Sequence, residues 1–155
     1  MAGTTRPKLL IASDLSDNAL AALHVGEELA TALNAEVTLL SCFDPEPFAP
    51  PVYLPGVRTI LSSIEQEMGE VVSKTLGELR EKHLQGLAAV RTDAIRGSNA
   101  AMAICDYAKE HGVDWIVVGT HGRTGLKHML IGSVAEKIVR HAECSVVVAR
   151  SRPAQ

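Results

Sequence analysis

From Val117 to Lys137 the chain reads VVGTHGRTGLKHMLIGSVAEK, a short apolar run that opens into Gly119, Gly122, Gly125 and Gly132, with His121, Arg123 and Lys127 among them. No acidic residue falls between Gly119 and Glu136. Glycines let backbone approach a ligand closely. Amides at a helix start, aided by the helix dipole, attract anions. Gly132-Ser133-Val134 offers consecutive N–H groups and a hydroxyl where a helix is expected to begin, and the nearby cations add positive potential. Together these residues suit phosphate. They also have a purely local reading: Ser133-Val134-Ala135-Glu136 spells the S-x-x-E capping box, and Gly119 is a natural strand-to-loop glycine. Spacing alone leaves both readings open.

Two standard phosphate loops are excluded. A P-loop needs GxxxxGK followed by Ser or Thr, whereas Gly125 precedes Leu126-Lys127-His128. A dinucleotide fingerprint needs GxGxxG after the first strand, and there the chain reads SDLSDNA. Asp14, at the end of that strand, can accept from ribose hydroxyls or a base amino group, or can cap the turn that follows. Gly97-Ser98 is a further candidate with an equally good reading as a turn or cap. His121 is placed for ribose or phosphate contact. His24, His83, His111, His128 and His141 show no metal-ligand spacing, and Cys42, Cys105 and Cys144 form neither a metal motif nor a disulfide framework. They read as small apolar residues in a reducing cytoplasm.

The elements that must position these residues alternate between two periods. Strands are expected at Lys8–Ser13, Glu36–Phe43, Leu87–Ile95, Trp115–Gly119 and Ser145–Arg150. Helices are expected from about Asp17 to Leu33 with Ser16 as N-cap and Asn34 as stop, from Val57 to Gln85, from Asn99 to His111, and from Ser133 to His141. The second helix carries an apolar stripe of Ile60, Leu61, Ile64, Met68, Val71, Val72, Thr75, Leu76 and Leu79. Five prolines between Asp44 and Gly56 bar regular helix or central strand there, so that segment is expected to be a mobile excursion. The tail 151–155 is expected to fray.

Strict β-α alternation implies a single-domain α/β fold, with an open parallel five-stranded sheet and helices on both faces. Ligands then bind beyond the carboxyl ends of the strands, where strand order reverses. Ala12-Ser13-Asp14, Ser41-Cys42-Phe43 and Gly119-Thr120-His121-Gly122 are expected to line one crevice.

Composition narrows the partners. Net charge −3, pI near 6.1 and only 3% aromatic residues argue against nucleic acid or an acidic membrane surface. No apolar run approaches the roughly 18–20 residues of a membrane span.

Gly119-x-x-Gly122, nine further residues, then Gly132-Ser133 resembles the G-2x-G-9x-G-(S/T) signature of the ATP-binding branch of the universal stress protein family. The resemblance extends over nearly the whole chain, from the first strand ending in Asp14 through EVTLLSCF and the exit at Gly97. It implies a Rossmann-like or flavodoxin-like sheet of order 3-2-1-4-5, and a homodimer through the last strand, Ser145–Arg150. It implies that Asp14 contacts the adenosine part of ATP and that the Cys42 backbone lies beside the adenine. Gly119 and His121 would lie near the ribose and first phosphate. Gly122, Gly132, Ser133 and Val134 would hold phosphates through amides and the Ser133 hydroxyl, and Mg²⁺ or Mn²⁺ would accompany the triphosphate. Ala12, Ser13, Gly97, Val118 and Arg123 complete the implied ATP site. One departure is Ala12, where relatives often carry proline.

The expected function is an ATP-binding regulatory protein of the stress response, whose occupancy alters conformation or partner binding. The alternatives are a slow ATP-hydrolysing enzyme, for which His121 and Asp14 are the available bases, and an interaction module that binds no nucleotide.

Overall fold

The computed structural model describes residues 5–48, 55–120 and 131–150. Five strands, β1 (Lys8–Ala12), β2 (Glu36–Phe43), β3 (Val90–Arg96), β4 (Trp115–Gly119) and β5 (Ser145–Ala149), form one parallel sheet of order β3-β2-β1-β4-β5. Between them run α1 (Leu20–Leu33), α2 (Val57–His83), α3 (Ala100–Glu110) and α4 (Ser133–His141). This is the flavodoxin-like sheet order that the resemblance implied.

Strand β1 is central, pairing with β2 on one side and β4 on the other. Its Leu9, Leu10 and Ile11 are at most 1% exposed, as expected of a strand covered on both faces. Burying each such side chain contributes about 1.5–3 kcal/mol relative to exposure. Alternation sends Leu9, Ile11, Val37, Leu39 and Val117 to one face, where Leu23 of α1 and Val72 and Leu76 of α2 meet them. It sends Leu10, Leu40, Ile116 and Val118 to the other, under Ile104 of α3 and Ile138 of α4.

Three sequence expectations shift. Residues 17–19 form a 3-10 turn, so α1 starts at Leu20. Strand β3 begins at Val90 instead of Leu87, because the Leu87 N–H closes a turn onto the Leu84 carbonyl at 3.2 Å. The α2 stripe is narrower than its pattern: Val72 and Leu76 are buried, but Ile60 and Val71 are 44% and 64% exposed. Val71, in mid-helix beside buried Val72, faces outward, and length explains Ile60. A helix of 27 residues spans about 40 Å, whereas the seven residues of β3 span about 23 Å. The first turns of α2 overhang the carboxyl ends of the strands. Arg96, at the end of β3, ties that overhang through Glu65 at 3.1 Å and also reaches Glu46 at 3.4 Å. Glu46 belongs to a 3-10 turn, Glu46–Phe48, an element the prolines did not suggest. Residues 49–54 of the proline-rich segment and the tail 151–155 lie outside the described residues. Asn34 ends α1 as expected, in the left-handed region at φ 52°.

Tyr107 ties α3 to β3. Its Oη donates to Asp93 Oδ2 at 3.0 Å, and its ring stacks on His111 with centroids 3.9 Å apart. Burial, with the hydrogen bond to Asp93, pushes the phenol up to about 12 from its ordinary 10.0. The phenol is therefore held neutral in the folded chain. Its contribution to stability is full below about pH 10 and lost as pH rises towards 12. Ultraviolet titration is expected to show a tyrosine ionising near pH 12, with that transition absent in Tyr107→Phe.

Candidate functional site

The register places the site. Ala12 pairs with Leu40 of β2 and with Val118 of β4. Two residues further along each strand bring Asp14, Cys42 and Thr120 to a common level on adjacent strands. The ladder continues one step past the formal strand ends: Ser13 N–H donates to the Leu40 carbonyl at 2.9 Å, Gly97 N–H to Phe43 at 3.0 Å, and Thr120 N–H to Ala149 at 2.9 Å. The chain leaves β1 towards β2, while β4 lies on its other side, so the strand order reverses between β1 and β4. Asp14 and Thr120 flank the crevice opened by that reversal.

Each wall has a local cause. At Asp14 the chain turns sharply through Leu15, which has φ 65°, and the Asp14 carboxylate accepts from Ser16. At Cys42 the thiol donates to the Gly97 carbonyl at 3.5 Å, fastening the exits of β2 and β3 together. Burial, then the neighbouring Asp44 carboxylate, raise the Cys42 thiol above its usual range, so it stays protonated and is a poor nucleophile. Gly97 is required by space: a Cβ there would stand 2.8 Å from Ala103 Cβ and 3.1 Å from Cys42 Sγ.

On the β4 side, Thr120 is 3% exposed and its carbonyl accepts from the Gly132 amide. Gly132, with extended backbone at φ −70° and ψ 155°, is the N-cap of α4. Ser133 is thus the first helical residue and does not occupy the cap position of the S-x-x-E box. Glu136 pairs with Arg140 one turn on, at 2.9 Å, and its own N–H bonds to the Gly132 carbonyl. Two sequence readings change. The capping box is not formed, which leaves the exposed Ser133 hydroxyl available, and Gly132 contributes its amide to the fold instead of to an anion. Ser133 and Val134 are the residues whose N–H groups open the helix.

Of the residues singled out in the sequence, the structure gathers Ala12, Ser13, Asp14, Cys42, Gly97, Val118 and Gly119 at the carboxyl ends of β1 to β4, with Gly132, Ser133 and Val134 fastened beside Thr120. His121, Gly122 and Arg123 lie outside the described residues. Sequence reasoning placed Thr120 in the crevice without giving it a role, and read Ser16 only as a helix cap. The signal for each was its polar type beside an apolar strand end. Two depressions, of about 560 Å³ at Arg80–Arg91 and about 410 Å³ around Arg6 and Trp115, lie by the amino ends of the strands. Strand topology locates this site.

The strand order agrees with comparison to known proteins. The model of the universal stress protein family matches residues 5–150. The chain belongs to the universal stress protein family. It is 32% identical over 145 residues to universal stress protein MJ0531 of Methanocaldococcus jannaschii, covering 92% of this chain and 81% of that protein. It is 32% identical over 148 residues to universal stress protein YxiE of Bacillus subtilis, covering 92% and 98%. Among solved structures, universal stress protein UspA from Lactobacillus plantarum superposes with TM-score 0.74 at 25% identity, covering 96% of this chain and 100% of that one. A universal stress protein in complex with cAMP shares the fold at TM-score 0.63 and 18% identity, covering 95% and 98%. The Archaeoglobus fulgidus protein in complex with dAMP shares it at 0.57 and 19%, covering 92% and 97%. Three free cysteines, Cys42, Cys105 and Cys144, accord with the absence of a disulfide framework in the sequence.

Gly97→Val is expected to lower Tm by about 2–10 °C, through overpacking against Ala103 and the Cys42 thiol. Differential scanning calorimetry checks this.

Proposed function

We propose that this chain binds ATP at the β1/β4 crevice and acts as a nucleotide-responsive regulator of the stress response. The observation that carries the reading is the α4 start. The Gly132 amide is fixed to Thr120, so the exposed Ser133 hydroxyl and the Ser133 and Val134 amides stand at the positive end of a helix beside the switch point. Asp14 supplies an acceptor for adenosine at the level of Thr120, and the Cys42–Gly97 contact forms the wall beside the base. His121, Gly122 and Arg123 complete the proposed contacts by their place in the signature. Nucleotides bound to the cAMP and dAMP relatives support an adenine ligand here.

Among the described residues no group of three or more His, Cys, Asp or Glu side chains is disposed to hold an ion. In this reading Mg²⁺ or Mn²⁺ accompanies the triphosphate, where it would neutralise phosphate charge. Hydrolysis requires an oriented water and a base. Of the two candidate bases, Asp14 already accepts two bonds from Ser16 and His121 lies outside the described residues; we favour binding over turnover. No helix among the described residues is long and apolar enough to cross a membrane, which is compatible with the cytoplasmic placement we favour.

Gently purified protein is expected to release ATP or AMP on denaturation, read by mass spectrometry. Titration calorimetry with Mg-ATP is expected to show binding that weakens about tenfold in Ser133→Ala, the loss of one hydrogen bond to a charged group. Absence of both co-purified nucleotide and binding heat would leave the nucleotide-independent module as the better reading.

The proposed assembly is a homodimer through β5, which lies at one edge of the sheet with Val146, Val147 and Val148 half-buried. An unpaired apolar edge invites pairing, and a two-fold axis closes it. Light scattering on eluting protein is expected to give twice the chain mass of 16.5 kDa. A monomer at micromolar concentration would refute the dimer.

A further inference from the structure

Ser16 stands at the N-cap of the 3-10 turn Asp17–Ala19 with extended backbone, φ −86° and ψ 161°. From that position a serine hydroxyl ordinarily accepts from an amide two or three residues on. Ser16 makes no such bond. Its Oγ donates instead to Asp14 Oδ1 at 2.6 Å, and its N–H donates to the same oxygen at 3.1 Å. The shorter contact has the length of a charge-assisted O–H···O⁻ bond. Between the two residues Leu15 sits at φ 65°, a conformation that a leucine adopts only when its surroundings impose it. Those surroundings are visible. The Leu15 N–H donates to Ser13 Oγ at 3.1 Å, and its side chain packs against the core beneath α1 and α2.

We propose that Ser16 is a positioning residue for nucleotide recognition, holding the Asp14 carboxylate in the one orientation that meets adenosine; this rests on the ATP reading of the site. A serine at this position has the option of giving its hydroxyl to the helix start. Here that hydroxyl is turned back onto the carboxylate, and the intervening residue is held in a strained conformation that makes the reversal possible. The cost of aligning Asp14 is met during folding, before any ligand arrives. A carboxylate has about four lone-pair directions. One oxygen can therefore keep both Ser16 bonds while the group also accepts from a ribose hydroxyl or the adenine amino group. Loss of the Ser16 hydroxyl removes the shorter of its two bonds to Asp14, leaves the N–H bond, and loosens the carboxylate's alignment, which penalises recognition of the nucleoside, not of the phosphates.

The test compares ATP with inorganic tripolyphosphate, which lacks the nucleoside, by titration calorimetry on the full chain. Ser16→Ala is expected to bind ATP about tenfold more weakly, one charged hydrogen bond's worth of alignment, and to bind tripolyphosphate within about twofold of wild type. Ser16→Thr, which keeps the hydroxyl, is expected to restore most of the ATP affinity. Because Ser16→Ala loses a bond to a carboxylate, the variant is expected to stay folded with Tm lowered by about 2–8 °C. The proposal is overturned if Ser16→Ala binds ATP normally, if both ligands weaken together, or if the variant loses its fold. Asp14→Asn separates the two layers of the argument. If it loses ATP affinity while Ser16→Ala does not, only the positioning role fails. If wild type binds tripolyphosphate but shows no preference for ATP, the adenosine reading of Asp14 fails, and the role of Ser16 with it.

Discussion

The register of β1 against its two neighbours governs the rest of the molecule. Ala12 is opposite Leu40 on one side and Val118 on the other. Side-chain direction in a strand repeats every two residues, so a slip of one position would exchange the two buried faces and bring Leu10 under α1 instead of α3. Core burial therefore fixes the register, and the register fixes which residues reach the rim together. Asp14, Cys42 and Thr120 are neighbours because Leu9, Leu10, Ile11 and their partners cannot be buried any other way. Chemistry at the rim is a consequence of packing some 7 Å below it, at about 3.3 Å per residue.

Space at the rim is set by a second constraint, the close approach of helices to strand ends. Gly97 lets the β3 exit lie against both Cys42 and the first turn of α3, and a Cβ there would collide with Ala103. Gly26 has the same role at the middle of the sheet, where a Cβ would stand 2.5 Å from Ile11 Cδ1. At the rim, the Cys42 thiol bonds the Gly97 carbonyl and joins the exits of β2 and β3. On the opposite wall the Gly132 amide reaches the Thr120 carbonyl and so fixes the start of α4 beside β4.

Two serines show how local and tertiary demands are divided. Ser16 and Ser133 both look like helix caps, since each precedes a helical pattern and one heads an S-x-x-E box. In the fold neither acts as one: Ser16 gives its hydroxyl to Asp14, and Ser133 lies one position inside α4 because Gly132 takes the cap. A cap preference is worth about 1 kcal/mol. A bond to a carboxylate or a tertiary anchor of the backbone is worth as much or more, so the long-range interaction prevails.

The sequence alone determined the alternation of strands and helices, the parallel sheet and its order through the family signature, and the residues of the rim, because periodicity of two or of three to four is written locally. It placed Asn34 as the stop of α1, since a left-handed residue after a helix favours asparagine. Only the tertiary structure decided where elements begin when two neighbours compete. Leu87 is apolar enough for a strand, yet lies in a turn closed by the Leu84 carbonyl. Ile60 belongs to an apolar stripe, yet stays exposed because the first turns of α2 outrun the strands it covers. Likewise, Gly132 became an anchor and Ser16 a brace for Asp14. Hydrogen bonds between groups distant in sequence, or turned back on themselves by a strained residue, depend on where the packed sheet brings the backbone, and no periodicity in the chain encodes them.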